Sequence, residues 1–158
     1  MSITPEAALR EAIDLAYANV EAGGRPFGAV VVRDGVVIAR GVNTIVATHD
    51  PTAHAELEAL RAASRALNSP DLSGCTVYAS GHPCPMCLAA MRLAGVEAVT
   101  FAHSNEEAAP FGLSTAAIYA DLARPFSEQS MAIRHLPVSV PGRDDLYAQW
   151  SRRQGRGI

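Results

Sequence analysis

Two short motifs in the sequence contain residue types that could hold a metal ion and move a proton. His54 and Glu56 lie two residues apart in the segment DPTAHAELEAL, and Cys84 and Cys87 follow in the segment SGHPCPMCLAA. A histidine nitrogen and two cysteine thiolates are ligands that zinc binds well in proteins. Three such ligands leave the fourth position of a tetrahedral ion open for water, which is typical of catalytic rather than structural zinc sites.

The cysteine motif is predicted to begin a helix. Pro85 suits the first helical position, because its missing N–H would have no partner there in any case. Cys84 is then the N-cap, and Cys87 lies in the first turn. The positive end of the helix dipole favours the thiolate form of both side chains, which is the form that binds zinc.

The histidine motif is predicted to lie at the start of another helix, over residues 52–67. The segment Asp50-Pro51-Thr52 is a helix-start signal, which places His54 in the first turn. Residues two apart on a helix project to opposite sides. His54 and Glu56 can therefore share one site only if that site lies beyond the end of the helix.

A zinc ion held in this way would activate water. Bound zinc lowers the pKa of water from about 15.7 to about 7, and Glu56 could take up the proton and pass it on as the general acid and base. Two other interpretations stay open. Cys75 could complete a closed, structural Cys₃His site, although it begins an alternating strand pattern typical of a core residue. The C-x-x-C pair could also be a redox motif, although its two prolines favour zinc.

Composition limits the class of protein. The chain has 158 residues, of which 49% are hydrophobic and 18% charged, so we expect one globular domain over residues 1–158. The net charge is −3 and the chain has no lysine, which gives no basic stripe for nucleic acid or an anionic membrane. No apolar stretch is long enough to cross a membrane. Three cysteines without a secretion signal indicate reduced thiols and a cytoplasmic location.

Helix and strand patterns alternate along the chain, which predicts an α/β fold with helices on both faces of a mixed sheet. Five helices are expected: from Thr4 to Gly23, over 52–67, over the segment PMCLAAMRLAG that ends at Gly95, over 115–123 and over 143–153. The five expected strands are FGAVVV, VVIAR, CTVYAS, EAVTFAH and MAIRHLPV. The first two are predicted to form a hairpin, and residues 41–51 and 104–114 are expected to be loops.

The motif HAE followed by PCPMC resembles the signature of the zinc-dependent cytidine deaminase superfamily, H-x-E with P-C-x-x-C. The segments PFGAVVV, GVN and HDPTAHAELEAL are similar in order and spacing to the guanine deaminase and nucleobase deaminase branch, over about residues 8–125. The resemblance implies a three-layer α/β/α sandwich around a mixed five-stranded sheet. It also implies one zinc ion per subunit, a homodimer, and hydrolysis of a C–N bond in a cyclic amidine, with ammonia as product.

Carried over residue by residue, the resemblance assigns site roles. It implies His54, Cys84 and Cys87 as the metal ligands and Glu56 as the catalytic proton shuttle. For the substrate, it implies a hydrogen bond from Asn43, a stacking contact with Phe27 and a contact between the Ala55 N–H and a ring carbonyl. Asn43 could instead be a loop residue that caps a turn, and Phe27 could be a plain core aromatic.

Two departures from the family pattern affect the expected substrate. Ser114 and Thr115 stand where the guanine-acting members have an acidic pair before IY, and a hydroxyl accepts protons only weakly. His82 stands where the family commonly has Glu, either as a residue of the substrate site or as a surface residue beside a turn. Trp150, with Phe111 and Tyr147, is expected to close the substrate site of its own or a neighbouring subunit.

Three classes of function follow from these patterns. The first is a zinc aminohydrolase of a free nucleobase or related amino-heterocycle, with guanine as the default substrate and cytosine or another ring or nucleoside as the alternative. The second is a tRNA adenosine deaminase, which shares the motifs but should present a basic face. The third is a scaffold protein that zinc stabilises but that has no enzymatic activity. Such a protein would need neither Glu56 nor an open ligand position. We expect the first, with a small-molecule partner and neither nucleic acid nor membrane.

Overall fold

The computed structural model of the chain describes residues 1–155, which form two compact units. The first unit is Met1–Ala123 and the second begins at Arg124. The expectation of a single domain over the whole chain stays a prediction. No helix within residues 1–155 has both the length and the apolar composition needed to cross a membrane.

The first unit contains four strands and six α-helices in its described residues. In chain order they are α1 (Pro5–Glu21), β1 (Gly28–Arg33), β2 (Val36–Val42), α2 (Ile45–Thr48), α3 (Ala55–Leu67), β3 (Cys75–Gly81), α4 (Pro85–Ala94), β4 (Ala98–His103), α5 (Asn105–Ala108), a 3₁₀ turn (Ala109–Phe111) and α6 (Ala116–Leu122). The second unit has a 3₁₀ turn (Phe126–Glu128) and α7 (Leu146–Arg153).

The strands form one mixed sheet in the order β2-β1-β3-β4. β1 pairs antiparallel with both β2 and β3, whereas β3 and β4 are parallel. The predicted hairpin is present: Asp34 and Gly35 connect β1 to β2, and both have a positive φ, of 50° and 75°. Asp-Gly suits this two-residue turn, because glycine and aspartate adopt left-handed backbone conformations at low cost.

Helices cover both faces of the sheet. Successive residues of β1 point to opposite faces, and the strand is buried on both. Ala29 and Val31 belong to the main core cluster, together with side chains of α3, β3 and α4. Val30 and Val32 pack on the other face with Ala8 of α1. The α/β fold with a mixed central sheet is therefore confirmed.

The expected fifth strand is absent from the described residues, so the prediction of five strands is wrong. Residues 131–138, MAIRHLPV, pair with no strand, and the side chains of Met131, Ile133 and Leu136 are exposed. The alternating pattern suits a strand, but a strand also needs a partner for its backbone hydrogen bonds. Pro137 further removes one donor from the segment.

Several expected element boundaries shift. Asp50 Oδ1 accepts hydrogen bonds from the Thr52 backbone N–H (2.8 Å) and hydroxyl (2.7 Å), so this segment forms a turn before the helix. As a result α3 begins at Ala55, and residues 52–54 lie outside it. The region 41–51 contains the short helix α2, and 104–114 contains α5 and a 3₁₀ turn rather than loop alone.

Candidate active site

The three expected ligands lie together at the beginnings of two helices. His54 is the N-cap of α3, and Cys84 is the N-cap of α4 with Cys87 in its first turn. Their ligand atoms all lie within 4.8 Å of one another. His54 Nδ1 is 3.4 Å from Cys84 Sγ and 3.6 Å from Cys87 Sγ, and the two sulfurs are 3.5 Å apart. Atoms bound to one tetrahedral zinc ion at about 2.0–2.3 Å lie roughly 3.5–3.8 Å apart, so the cluster fits zinc.

The position of His54 before the helix explains how it shares a site with Glu56. Its backbone is extended, with φ −73° and ψ 154°, and its side chain makes no capping hydrogen bond to the helix. The imidazole therefore does not cap the helix. Glu56 follows as the second residue of α3, so the opposite-side rule for residues within a helix does not apply to this pair.

Hydrogen bonds within the cluster shift the pKa values of the two thiols in opposite directions. The pKa of Cys84 is lowered to about 4, mainly because its sulfur shares a hydrogen bond with the Cys87 thiol and also because it shares one with His54. The pKa of Cys87 is raised by the same bond to Cys84 and by burial. The pKa of His54 is raised, mainly through its hydrogen bond with Cys84, while burial and the positive charge of Arg25 oppose this rise.

Glu56 is a buried carboxyl group beside the cluster. Only 7% of its surface is exposed. Burial raises its pKa, and a hydrogen bond with the Cys87 thiol lowers it in part. A carboxyl group with a raised pKa binds a proton more readily than an exposed one, which is a property that a general acid and base requires.

A cavity of about 160 Å³ opens beside the cluster. Engineered cavities of about 150 Å³ bind benzene, so this volume suits a small planar ring. The cavity brings together six of the seven residues expected to bind substrate: Phe27, Asn43, Ala55, His82, Ser114 and Thr115. His54, Glu56 and Cys84 also line it. Trp150 lies on α7 in the second unit, and its role in closing the site stays a prediction.

Asn43 and Thr115 present polar groups at the cavity. Asn43 is 3% exposed, and its side-chain oxygen accepts a hydrogen bond from the Ile45 N–H at 3.1 Å. This is the turn-capping contact expected as the alternative, and it leaves the amide nitrogen as a donor. The Thr115 hydroxyl is buried and has no hydrogen-bond partner among residues 1–155. A buried polar atom without a partner is costly, and a bound ligand would supply one.

Ser114 directly precedes Thr115, the N-cap residue of α6. The Ser114 hydroxyl oxygen accepts a hydrogen bond from the Ala116 N–H at 3.2 Å. The hydroxyl can still donate its own proton. Its role as a substrate contact stays a prediction.

Phe27 and His82 form a wall of the cavity. The Phe27 ring lies against Gly81, where a Cβ atom would be 3.3 Å from it, and also packs on the core cluster. The His82 ring stacks on Tyr119 at 5.4 Å between centroids and contacts Phe101 at 4.6 Å. His82 is therefore held in a stack of rings rather than free beside a turn.

Two residues near the site were not singled out from the sequence. Arg25 lines the cavity next to Phe27. Tyr119 donates a hydrogen bond from its hydroxyl to the carbonyl oxygen of Pro83, which directly precedes a ligand. The signal for Tyr119 was the IY pair after Ser114 and Thr115, and the signal for Arg25 was its place before the PFG segment.

Residues 2–103 match the family described as the cytidine and deoxycytidylate deaminase zinc-binding region. The chain belongs to this deaminase family. It is therefore a zinc-dependent deaminase, a hydrolase that acts on C–N bonds, as the motifs predicted, and it carries a cluster that can bind one zinc ion.

Known proteins similar to the deaminase support this assignment. It is 42% identical to the guanine deaminase of Bacillus subtilis strain 168 over 127 residues, which cover 80% of this chain and 81% of that protein. A crystal structure of guanine deaminase from Bacillus subtilis aligns with a TM-score of 0.82 at 36% identity, covering 97% of this chain and 93% of the other. The tRNA-specific adenosine deaminase of Aquifex aeolicus is 40% identical over 93 residues, 59% of this chain and 62% of that protein.

Proposed function

We propose that the deaminase removes the amino group of a free nucleobase or related amino-heterocycle, and that guanine is the first substrate to test. The observation that carries this proposal is that a ring-sized cavity borders both the His54, Cys84 and Cys87 cluster and the buried carboxyl of Glu56. The similarity to the guanine deaminase of Bacillus subtilis supports guanine among the possible rings.

In this proposal His54, Cys84 and Cys87 hold zinc, which when bound supplies water activated for attack at neutral pH. Glu56 takes up a proton from the attacking water and delivers it to a ring nitrogen. The new C–O bond forms at the amino-bearing carbon. Glu56 then takes the proton of the new hydroxyl group and transfers it to the amine. The C–N bond breaks as the C=O bond of the product forms, so water is consumed and ammonia leaves.

Other residues of the cavity orient the ring. The Asn43 amide nitrogen donates to the ring, and so does the Ala55 N–H, which as the first N–H of α3 has no partner inside the helix. Phe27 stacks on the face of the ring, and the hydroxyls of Ser114 and Thr115 contact its edge. His82 completes the wall of the cavity.

The aromatic side chain of Trp150 is exposed on α7. We propose that it closes a cavity, either in its own subunit or in a neighbouring one.

Ammonia release against a panel of substrates tests the proposed function. The zinc-loaded protein is incubated with guanine, isoguanine, adenine, cytosine, guanosine, cytidine, ammeline and a tRNA anticodon stem-loop, and Glu56→Ala is the control. Turnover of guanine supports guanine as the substrate. Turnover of another ring without turnover of guanine identifies a different base as the substrate. No turnover in a protein that holds zinc contradicts the proposal.

A tRNA adenosine deaminase is the second candidate, because the Aquifex aeolicus relative acts on tRNA by its name and shares 40% of residues over 93 positions. Binding of a phosphate backbone requires a cluster of cationic side chains. The chain has net charge −3 and no lysine, which favours a small-ring substrate over tRNA. Deamination of the stem-loop but of no free base would establish the second candidate.

We further propose that the deaminase is a cytoplasmic homodimer in which both units belong to one functional domain. β4 is an edge strand of the sheet, and Phe101 on it is 40% exposed. Leu93 on the preceding helix α4 is 91% exposed. Exposed apolar groups of this kind favour an interface with a second copy. All three cysteines are free, which suits a reducing compartment.

A further inference from the structure

Arg25 lines the cavity and is exposed, and none of the ion pairs formed within residues 1–155 involves it. An unpaired guanidinium beside a ring-sized cavity keeps its donors available for a ligand. Arginine differs from other cations in its planar fork of N–H groups, which can donate two parallel hydrogen bonds.

The position of Arg25 is fixed by packing and by one bridging side chain. Asn19 Nδ2 donates to the carbonyl oxygen of Arg25 (2.7 Å) and to that of Asn43 (2.9 Å). Gly24 allows the close approach, because a Cβ atom there would overlap the Asn19 side chain. Pro26 restricts the backbone on the other side. The guanidinium therefore extends from a backbone that is tied to a residue proposed to contact the base.

The polar lining of the cavity includes several groups that can only donate hydrogen bonds. Arg25, the Asn43 amide nitrogen and the Ala55 N–H all donate, and among the described lining residues Glu56 is the one carboxylate. A donor-rich lining complements a ring edge that accepts. An oxo oxygen next to an unprotonated ring nitrogen is such an edge, and arginine binds it bidentately, as it does O6 and N7 of guanine in DNA.

We propose that Arg25 is a specificity-determining residue, which donates two hydrogen bonds to the acceptor edge of the substrate ring, away from the amino group that leaves. The inference rests on the proposed function, since it concerns the same cavity. It identifies the substrate class as amino-substituted rings that carry an oxo group beside a ring nitrogen. Rings with hydrogen or an amino group in place of the oxo group lack one of these two hydrogen bonds.

Ligand binding tests the proposal separately from turnover. Dissociation constants for guanine and for 2-aminopurine, which lacks the oxo group, are measured by calorimetry on zinc-loaded Glu56→Gln protein. The same measurements follow with Arg25→Ala or Arg25→Lys added. Arg10→Ala is the matched control, because Arg10 is an exposed arginine of α1 and does not line the cavity. Zinc content and circular dichroism are compared for every variant.

We expect Arg25→Ala to weaken guanine binding about 10- to 100-fold, the range for hydrogen bonds to a charged group. Binding of 2-aminopurine, which keeps the ring nitrogen but lacks the oxo oxygen, should weaken at least about threefold less than that of guanine. Arg25→Lys should give an intermediate loss for guanine, and Arg10→Ala should change neither. Equal losses for both bases, no loss for guanine, or no binding of guanine at all would overturn the proposal. If guanine binds through Arg25 but no ring releases ammonia from the wild-type protein, the proposed function fails and the inference stands.

Discussion

At the scale of single residues, the site depends on side chains placed at the N-termini of two helices. His54 makes no capping hydrogen bond as N-cap of α3, and the Cys84 sulfur accepts one from the Cys87 N–H at 3.4 Å as N-cap of α4. Helix N-termini favour negative charge, and of the two thiols the pKa of Cys84 is lowered whereas that of Cys87, which shares a hydrogen bond with Cys84, is raised. Glu56 stands beside them as a largely buried carboxyl group that borders the cavity.

Removal of a ligand should remove the metal. We expect Cys87→Ala to reduce bound zinc from one ion per chain to less than about a tenth, since two ligands rarely hold a zinc ion. Cys75→Ala is the matched control, because Cys75 is equally buried but does not belong to the cluster. Zinc is measured by inductively coupled plasma mass spectrometry after dialysis. Loss of zinc from the Cys75 variant would instead support a closed Cys₃His site.

The Tyr119 hydroxyl is expected to support a ligand through the backbone. It donates to the Pro83 carbonyl oxygen, directly before Cys84. Tyr119→Phe should lower the free energy of unfolding by about 1 kcal/mol, the usual value of one hydrogen bond, and should weaken zinc binding in competition with a chelator. Tyr78→Phe is the control, because the Tyr78 hydroxyl forms no hydrogen bond within residues 1–155. Equal effects of both variants would contradict this role.

At the scale of elements, the site depends on how closely α3 approaches β2. Gly41 of β2 lies against the backbone of α3, and a Cβ atom there would overlap the Ala55 carbonyl oxygen and the Ala59 nitrogen. Ala55 follows His54 and precedes Glu56. Any shift of α3 away from the sheet therefore displaces both a ligand and the carboxyl group.

Gly41→Ala should therefore destabilise the fold and disturb the site. We expect a loss of about 1–3 kcal/mol in the free energy of unfolding, as for other overpacked cores, with lower ammonia release. Arg40→Ala is the neighbouring control. It removes only an exposed ion pair with Glu11, which should contribute less than about 1 kcal/mol. Urea unfolding of both variants checks the difference, and a Gly41 variant as stable as the Arg40 variant would refute the packing argument.

At the scale of the whole molecule, local patterns predicted most elements of the first unit and the terminal helix α7, but not the irregular structure of residues 131–138. The helix and strand signals from Thr4 to Gly95 were clear, since each has a stop signal and a buried face. The strand expected over 131–138 does not form in the described structure, because alternation of apolar residues cannot specify a partner for the backbone. The ligands were predictable from their spacing. For Arg25 the sequence offered only its place before the PFG segment, which does not predict its position at the cavity, because that position arises from the packing of Asn19 and Gly24.

The exposed apolar groups of α4 and β4 predict self-association. We expect sedimentation of the wild-type chain as a dimer and of Leu93→Glu as a monomer, because a buried carboxylate without a partner destabilises an interface. Val36→Glu is the control, since Val36 is also exposed but lies at the hairpin turn. A dimer that survives Leu93→Glu, or a wild-type monomer, would contradict this interface.

The most direct test of hydrolytic deamination is the fate of oxygen from water. The protein with one zinc ion per chain is incubated with guanine in H₂¹⁸O, and both ammonia and the mass of the purine product are measured. We expect one ¹⁸O atom at the carbon that lost its amino group, with the rate reduced about 10²- to 10⁴-fold in Glu56→Gln that retains zinc. Failure of the zinc-loaded chain to release ammonia from guanine or any other amino-substituted ring would contradict the account, as would full activity without Glu56.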